Sequence, residues 1–439
     1  MTPPPEEHCD LLIVGAGPAG MAAAVAAAPS GARIVLVDDN PAPGGQIWRS
    51  GPHAKPPPEA ARLRAAMARC GNVHLRTGTR VAAAPAAGCL LLEDAAHGWV
   101  VRHSKLILCT GARELLLPFP GWTLPGVTGA GGLQALIKAG LPVSGERIVI
   151  AGSGPLLLAA AATARRAGAR VLRIAEQASL ARLAGFGAGL GRWPGKALQA
   201  AMLYQSVYRA HSHVLAVTGD GAVGSVRLRR GGGEAVEDIA CDRLAVGFGL
   251  RPNTELGQLL GCRVVPSPWH ASALAVDERQ RTSLDDVYAA GECTGVGGSE
   301  RALVQGEIAG CDAVGLTARA ETLRQRLAHW DAFAAHLHHC FTLDERLRAL
   351  PDPDTLVCRC EDVPHAALVG RHGWVDAKLH TRCGMGACQG RICGAATQFL
   401  FDWTAPTPRP PLFPVRVSTL AVTMPPATAT AAAAGGSDA

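Results

Sequence analysis

The stretch Cys9–Gly20, CDLLIVGAGPAG, restricts what this chain can fold into more than any other. An unbroken apolar run leads into Gly15-x-Gly17-x-x-Gly20, the alanine-rich segment Met21–Ala28 follows, and a second apolar run, Arg33–Val37, ends in Asp38-Asp39. Strand, glycine turn, helix and second strand ending in an acid is the order of a dinucleotide-binding βαβ unit. Gly15 permits the tight turn, Gly17 lets a pyrophosphate approach the backbone, and Gly20 lets helix and strand pack closely. Pro18 and Ala19 complete the same cradle, where the helix N-terminus aims its free amides at the phosphates. Asp38 is placed to take the ribose hydroxyls of an adenosine.

Composition bounds the rest. At 439 residues, 48% hydrophobic and 18% charged, the chain can bury a large core and hold two or three domains. Its net charge of +6 comes from 42 basic and 36 acidic residues spread along the chain. No basic run interleaved with aromatics points to nucleic acid. The start, MTPPPEEHCD, has neither the basic nor the apolar region of a signal peptide, and no later apolar stretch is long enough to span a bilayer. A cytoplasmic location is expected, with membrane contact only through partners. In that compartment the 14 cysteines indicate metal or redox chemistry rather than disulfides. Nine are scattered and five crowd between Cys358 and Cys393.

In chain order, the loop Asn40–Arg49, NPAPGGQIWR, brings backbone close to a neighbour at Gly44-Gly45-Gln46, while Gln46, Trp48 and Arg49 offer polar and stacking groups. Taken by themselves, these residues favour a plain surface turn with a core tryptophan. A helix is expected over Pro57–Cys70, then strands over Val73–Arg76, Leu90–Leu92, Trp99–Arg102 and Lys105–Ala112. The last stops at Thr110-Gly111, where a segment crosses back near the cofactor. Gly121–Val127, GWTLPGV, has the turn chemistry of a hinge. A second dinucleotide-type unit runs over Arg147–Glu176, with Gly152 and Gly154 but Leu157 at the third glycine position, which should push helix from strand. Glu176 could hold an NAD ribose, and no arginine pair follows it to hold a 2′-phosphate, which disfavours NADP. A live and a vestigial nucleotide site both remain open. In TSLDDVYAAGECTGVGGSERALVQGEIAG, from Thr282, a strand runs into Gly291-Glu292, an acid positioned for ribityl and phosphate-linked hydroxyls, and a helix begins near Arg301. Cys293 has no CxxC or CxxxxC companion there, so the dithiol of a disulfide reductase is missing.

Gly15–Gly20, Asp38, Thr110-Gly111-Ala112, the interrupting GxG unit and Gly291-Glu292 together resemble the two-dinucleotide-binding-domain flavoproteins of the glutathione/thioredoxin reductase type. That resemblance spans about residues 8–318, implies FAD in the first site and leaves the reaction open.

Beyond the amphipathic connector Arg319–Leu350, whose Leu323, Leu327, Trp330, Phe333 and Leu337 read as packing, come LVCRCED from Leu356 and TRCGMGACQGRIC from Thr381. A C-x-C pair and a C-x4-C pair flanked by glycines can supply four thiolates to one metal centre, with glycine amides free for sulfur. Cys358, Cys360, Cys388 and Cys393 are the preferred ligands, and Cys383 is an equally spaced competitor. Zinc takes the same thiolates. A [2Fe–2S] cluster is preferred because a flavin accepts two electrons as hydride and a cluster passes them on singly. Arg359, Arg371, Lys378, Arg382 and Arg391 would raise its potential or form a solvated face.

This module resembles the bacterioferritin-associated-ferredoxin-like [2Fe–2S] domain, with a wider second cysteine pair than usual there. The whole order resembles the larger subunit of heteromeric bacterial amine dehydrogenases of the opine oxidase and D-hydroxyproline dehydrogenase type, and more distantly that of hydrogen cyanide synthase. The expected fold is α/β: two interleaved dinucleotide-binding domains and a small C-terminal [2Fe–2S] domain. Its divisions are 8–120 and 266–318 for FAD, 121–265 for the NAD(P)-type unit, 319–351 for a helical connector, 352–421 for the cluster and 422–439 for a disordered tail. The resemblance implies one component of an oxidoreductase that acts on CH–NH donors. A partner of the D-amino-acid/sarcosine-oxidase type would oxidise a secondary amine or D-amino acid, with a small third subunit in some complexes. Electrons would pass through an FMN at the subunit interface, this chain's flavin and the cluster to a respiratory acceptor. The second nucleotide site would hold NAD or ATP or stand empty. No substrate-oxidising constellation stands out, since His211, His213 and His338-His339 are placed by no motif. The rival readings are a stand-alone NADH-dependent reductase and a non-catalytic adaptor.

Overall fold

The computed structural model describes residues 6–49, 56–268, 271–404 and 407–423. The expected loose start at Met1–Glu7 and the tail from Val422 lie largely outside them.

The apolar run before the first glycine turn forms the strand Glu7–Val14 at the centre of a seven-stranded sheet. The sheet order is Val73–Arg76, Ile34–Val37, Glu7–Val14, Gly98–Leu108, Cys89–Glu93 and Arg80–Ala86, with Val287–Ala289 added beside Gly98–Leu108. Strand Gly98–Leu108 replaces the two separate strands expected over Trp99–Arg102 and Lys105–Ala112. It pairs parallel with Glu7–Val14 on one side and serves two neighbours on the other: its first half pairs antiparallel with Cys89–Glu93, and its second half pairs parallel with Val287–Ala289. The second pairing returns the chain to its first sheet after a long insertion, with Leu106 opposite Val287 and Leu108 opposite Ala289.

The glycine-turn helix, Pro18–Ala27, buries nearly every side chain and packs along Ser299–Ala313. Two glycines permit the contact. A Cβ at Gly306 would sit 2.1 Å from the Ala19 carbonyl oxygen, and one at Gly310 would sit 2.3 Å from that of Ala23. The helices therefore meet backbone to backbone.

The insertion carries the second parallel sheet, ordered Tyr208–Arg209, Arg170–Glu176, Arg147–Gly152, Arg243–Gly247 and Val127–Gly129. Leu157 does not loosen it. The side chain is fully buried, and the room it takes comes from Gly247 on the adjacent strand, whose Cβ would stand 3.3 Å from a Leu157 methyl. Short strands Ala112–Glu114 and Leu250–Pro252 pair antiparallel where the chain enters and leaves this unit.

The C-terminal cysteines sit on a two-stranded ribbon, Leu356–Cys358 with Val363–Pro364, and beside helices Trp374–Thr381 and Cys393–Phe401. This part shares one apolar core with the second sheet, joining Phe119, Trp122, Val149 and Phe248 to Leu347, Phe399 and Leu400. Trp122, in the segment expected to act as a hinge, is buried, and its indole N–H donates to the Leu356 carbonyl at 2.6 Å. The last described stretch returns to the first sheet, where the Leu412 amide donates to the Ala82 carbonyl at 2.7 Å and the Arg416 amide to Glu93 at 3.0 Å.

Candidate redox centres

The first cradle lies where strand Glu7–Val14 turns into helix Pro18–Ala27. Gly15 takes φ +106°, and a Cβ there would lie 2.2 Å from the Cys109 carbonyl oxygen; at Gly20 it would lie 1.8 Å from that of Gly15. Neither position tolerates a side chain. Gly17 differs, since its missing Cβ faces open space with only the Gly45 Cα, at 3.8 Å, within reach. The loop expected to approach the cofactor is thus brought over the cradle by Gly45, and the Gly44 amide donates to the Ala16 carbonyl at 2.7 Å. Asp38 is buried at the lip. Its carboxylate accepts from the Ala16 amide at 2.6 Å and from the Asn40 amide at 2.8 Å, and the Arg49 guanidinium holds Asn40 at 2.5 Å. Gln46 is exposed, whereas Trp48 is buried in the core of this domain.

Two later segments complete the cradle. Thr110 and Gly111 are tied to Asn253, Thr110 Oγ1 donating to the Asn253 carbonyl at 2.6 Å and the Asn253 amide donating to that of Gly111 at 2.9 Å. Gly291 passes beside Ala19, where a Cβ would come within 2.9 Å of the Ala19 methyl, and its amide donates to Gln305 at 3.0 Å. Glu292 follows, its carboxyl raised above the ordinary value by burial. Cys293 is fully buried and donates to the Leu108 carbonyl at 3.3 Å, as befits a core thiol. An amide-lined, side-chain-free hollow at a helix N-terminus, with acids at two edges, fits the diphosphate and hydroxyl groups of FAD.

The second cradle repeats the glycine turn of the first. Gly152 takes φ +145° with its Cβ position 2.0 Å from the Gly247 carbonyl oxygen, so the tight turn is kept. Glu176, however, has no exposed surface, and its carboxylate accepts from the Gly154 amide at 2.7 Å, the Ala178 amide at 2.9 Å and the Tyr208 hydroxyl at 3.2 Å. Tyr208 carries no sequence signal for this role, because it arrives from an adjacent strand more than 30 residues along the chain.

All five clustered cysteines meet. The sulfurs of Cys358, Cys383 and Cys393 lie within 4.8 Å of one another, and all three residues are buried. Cys388, half-buried, contacts Cys393 and also Cys360, which is exposed. The preferred ligands thus form a run of contacts, Cys358–Cys393–Cys388–Cys360, and Cys383 adds a fifth sulfur on the buried side. Hydrogen bonds from Cys383 and Cys393 hold Cys358 far below the usual thiol range, and Cys393 first of all lowers Cys388 to about 5. Backbone amides assist, that of Gly384 at Cys358 and those of Gly390 and Ile392 at Cys388. Gly384 and Gly390 have a second purpose, since a Cβ on either would strike the Trp374 indole, at 2.4 and 2.6 Å. Converging thiols with amide donors fit a soft metal centre. Of the basic residues nearby, Arg382 pairs with Glu361 at 2.7 Å, Arg359 lies over Trp122, and Arg391 donates to the Cys388 carbonyl at 3.3 Å.

Of the histidines noted in the sequence, His338 meets the Val296 backbone in the loop after Glu292, and burial first of all lowers its imidazole. His213 is buried in its strand, and burial with Arg346 and Arg229 lowers its imidazole to about 4. His211 lies against Arg346 at 3.3 Å. Among the described residues, no helix is long and apolar enough to cross a membrane.

Comparison with known proteins sets these centres in context. Residues 9–313 match the family described as pyridine nucleotide-disulphide oxidoreductase. The chain is 33% identical over 435 residues to an opine oxidase subunit of Agrobacterium tumefaciens, covering 88% of this chain and 84% of that one. It is 32% identical over 418 residues to hydrogen cyanide synthase subunit HcnB of Pseudomonas aeruginosa, covering 87% and 90%. Among solved structures, L-proline dehydrogenase from P. horikoshii superposes with a TM-score of 0.69 at 18% identity, over 95% of this chain and 80% of that one. Thioredoxin reductase from T. acidophilum superposes with a TM-score of 0.53 at 22% identity, over 72% and 99%. At these identities the two structures speak for the fold alone.

Proposed function

The chain belongs to the pyridine nucleotide-disulphide oxidoreductase family, alongside its opine oxidase and hydrogen cyanide synthase relatives, and from that membership we propose that it is the FAD- and [2Fe–2S]-carrying electron-transfer subunit of a heteromeric dehydrogenase. The observation that carries this reading is the gathering of five cysteines, beside amide donors, in a chain that also keeps an open flavin-type cradle. A flavin supplies two-electron chemistry and a [2Fe–2S] cluster one-electron chemistry, so a protein holding both divides hydride equivalents into single electrons.

The chain's own residues do the holding. Gly17, Ala19 and Gly20 present amides to the diphosphate at a turn that Gly15 makes and that Pro18 carries into the helix, and Asp38 and Glu292 accept from hydroxyls. Gly45, Gln46, Arg49, Thr110, Gly111 and Gly291 line the approach. Cys358, Cys360, Cys388 and Cys393 bind the cluster, with the amides of Gly384 and Gly390 stabilising negative charge on sulfur. The relatives are named as subunits, which supports a partner chain, and in this reading substrate oxidation takes place in a partner flavoprotein of the D-amino-acid/sarcosine-oxidase type. The substrate class in this reading is a secondary amine or D-amino acid, oxidised to an imine, a reading that the similarity to an opine oxidase subunit supports. The acceptor is a respiratory component, and an FMN at the subunit interface belongs to the same reading.

Metal and flavin analysis of the purified chain tests this, with anaerobic visible and EPR spectra after dithionite. Flavin bands and a reduced [2Fe–2S] signal are expected. Stoichiometric zinc, or iron without an EPR signal, overturns the cluster. Cys388→Ser should abolish the signal and Cys383→Ser should keep it; the reverse result would move Cys383 into the ligand set.

A further inference from the structure

The second cradle has an occupant. We infer that the connector segment Phe341–Asp344 is the resident ligand of the second dinucleotide unit and that it excludes an adenine or nicotinamide dinucleotide from that site.

Three sets of contacts carry this. At the glycine turn itself, Ser153 Oγ donates to the Phe341 carbonyl at 3.3 Å, and the Phe341 ring lies 3.8 Å from where a Cβ on Gly154 would stand. That is the open side of the turn, the side from which a pyrophosphate would have to reach the N-terminus of helix Leu156–Arg166. Beyond Glu176, the Gln177 amide group is used at both ends: its Nε2 donates to Ser153 Oγ at 3.0 Å and to the Thr342 carbonyl at 3.1 Å, and its Oε1 accepts the Asp344 amide at 3.0 Å. Arg182, which could have met a phosphate, donates to the Thr342 carbonyl at 3.2 Å. A peptide thereby takes the hydrogen bonds that a nucleotide would use.

Apolar packing holds the segment down. Phe341 and Cys340 are each 3% exposed, and they cluster with Ala178, Leu183 and Phe186, with Phe341 edge-on to Phe186 at 4.9 Å between ring centres. The same stretch continues into Leu343, Leu347 and Leu350 of the core shared with the cysteine module. A dinucleotide could enter only by lifting a segment that also anchors that module, and its apparent affinity falls by the fraction of molecules in which the segment is lifted. The second unit therefore serves as the receptor for the chain's own connector, and reducing equivalents enter by another route.

The inference rests on the proposed flavin in the first cradle, and the test separates the two. The FAD-loaded full chain is mixed anaerobically with millimolar NADH and then with dithionite. Flavin bands that NADH leaves oxidised and dithionite bleaches are the expected result. Prompt bleaching by NADH overturns the inference, whereas absence of flavin bands at the outset overturns only the proposed function. ADP binding, followed by calorimetry, needs no flavin chemistry. The parent chain should bind ADP at the second unit at least tenfold more weakly than a Phe341→Ser, Gln177→Ala variant that keeps its flavin bands. Equal binding by the two, weak or tight, overturns the connector as the barrier.

Discussion

Glu176 shows how much a single buried carboxyl can decide. Donors from Ala178, Gly154, Tyr208 and Ser153 reach it, yet burial is the stronger influence and pushes its carboxyl from the ordinary 4.5 up to about 7. A carboxyl raised on folding contributes most below its unfolded value, and its contribution is lost as pH climbs through the folded value. The stability of the parent chain relative to Glu176→Gln should therefore fall between about pH 4.5 and pH 7, by roughly 3 kcal/mol over the whole interval. Urea unfolding of both proteins at several pH values measures this; a gap that widens with pH would show that the carboxyl is held ionised instead. The acid at the second strand end was legible from spacing. That Tyr208 would donate to it was not, because that hydroxyl comes from a strand 32 residues along the chain whose approach no local pattern encodes.

At the level of elements, the decisive contact is between helix Pro18–Ala27 and helix Ser299–Ala313. Glycines at 306 and 310 let their backbones touch, and any Cβ there would overlap a carbonyl oxygen of the first helix. Overpacking of this kind costs about 1–3 kcal/mol or more. Gly306→Val should lower the melting temperature by several degrees and, because the displaced helix carries the cradle at its N-terminus, should also lower the flavin-to-protein absorbance ratio. A variant that melts early but keeps full flavin would separate helix packing from cradle geometry. Leu157 makes the complementary case. Read alone it predicts a loosened second unit, and only the neighbouring Gly247 shows where its volume goes.

On the scale of the whole molecule, the cysteine module and the second dinucleotide unit should unfold together, because Phe119, Phe248 and Phe399 belong to one core. Phe399→Ala should cost roughly 3–5 kcal/mol, and calorimetry should show the loss in one shared transition rather than in a separate early melt of the module. The strand, glycine turn and helix at Cys9–Gly20, their repeat at Arg147–Glu176 and the paired cysteine motifs could be read directly from the chain, since each is a local pattern whose residues lie within a few turns or one βαβ span of one another. The interleaved α/β fold followed from the same signals and from the return at Gly291-Glu292. Three things were decided only when distant segments met: the entry of Cys383 among the other sulfurs, the seating of Phe341 on the second glycine turn, and the fusion of cysteine module and nucleotide unit into one core. Each depends on burial and contact between residues far apart in sequence, where a thiol, a phenyl ring or a leucine looks the same in the chain whether it faces a cofactor, a cradle or another part of the core.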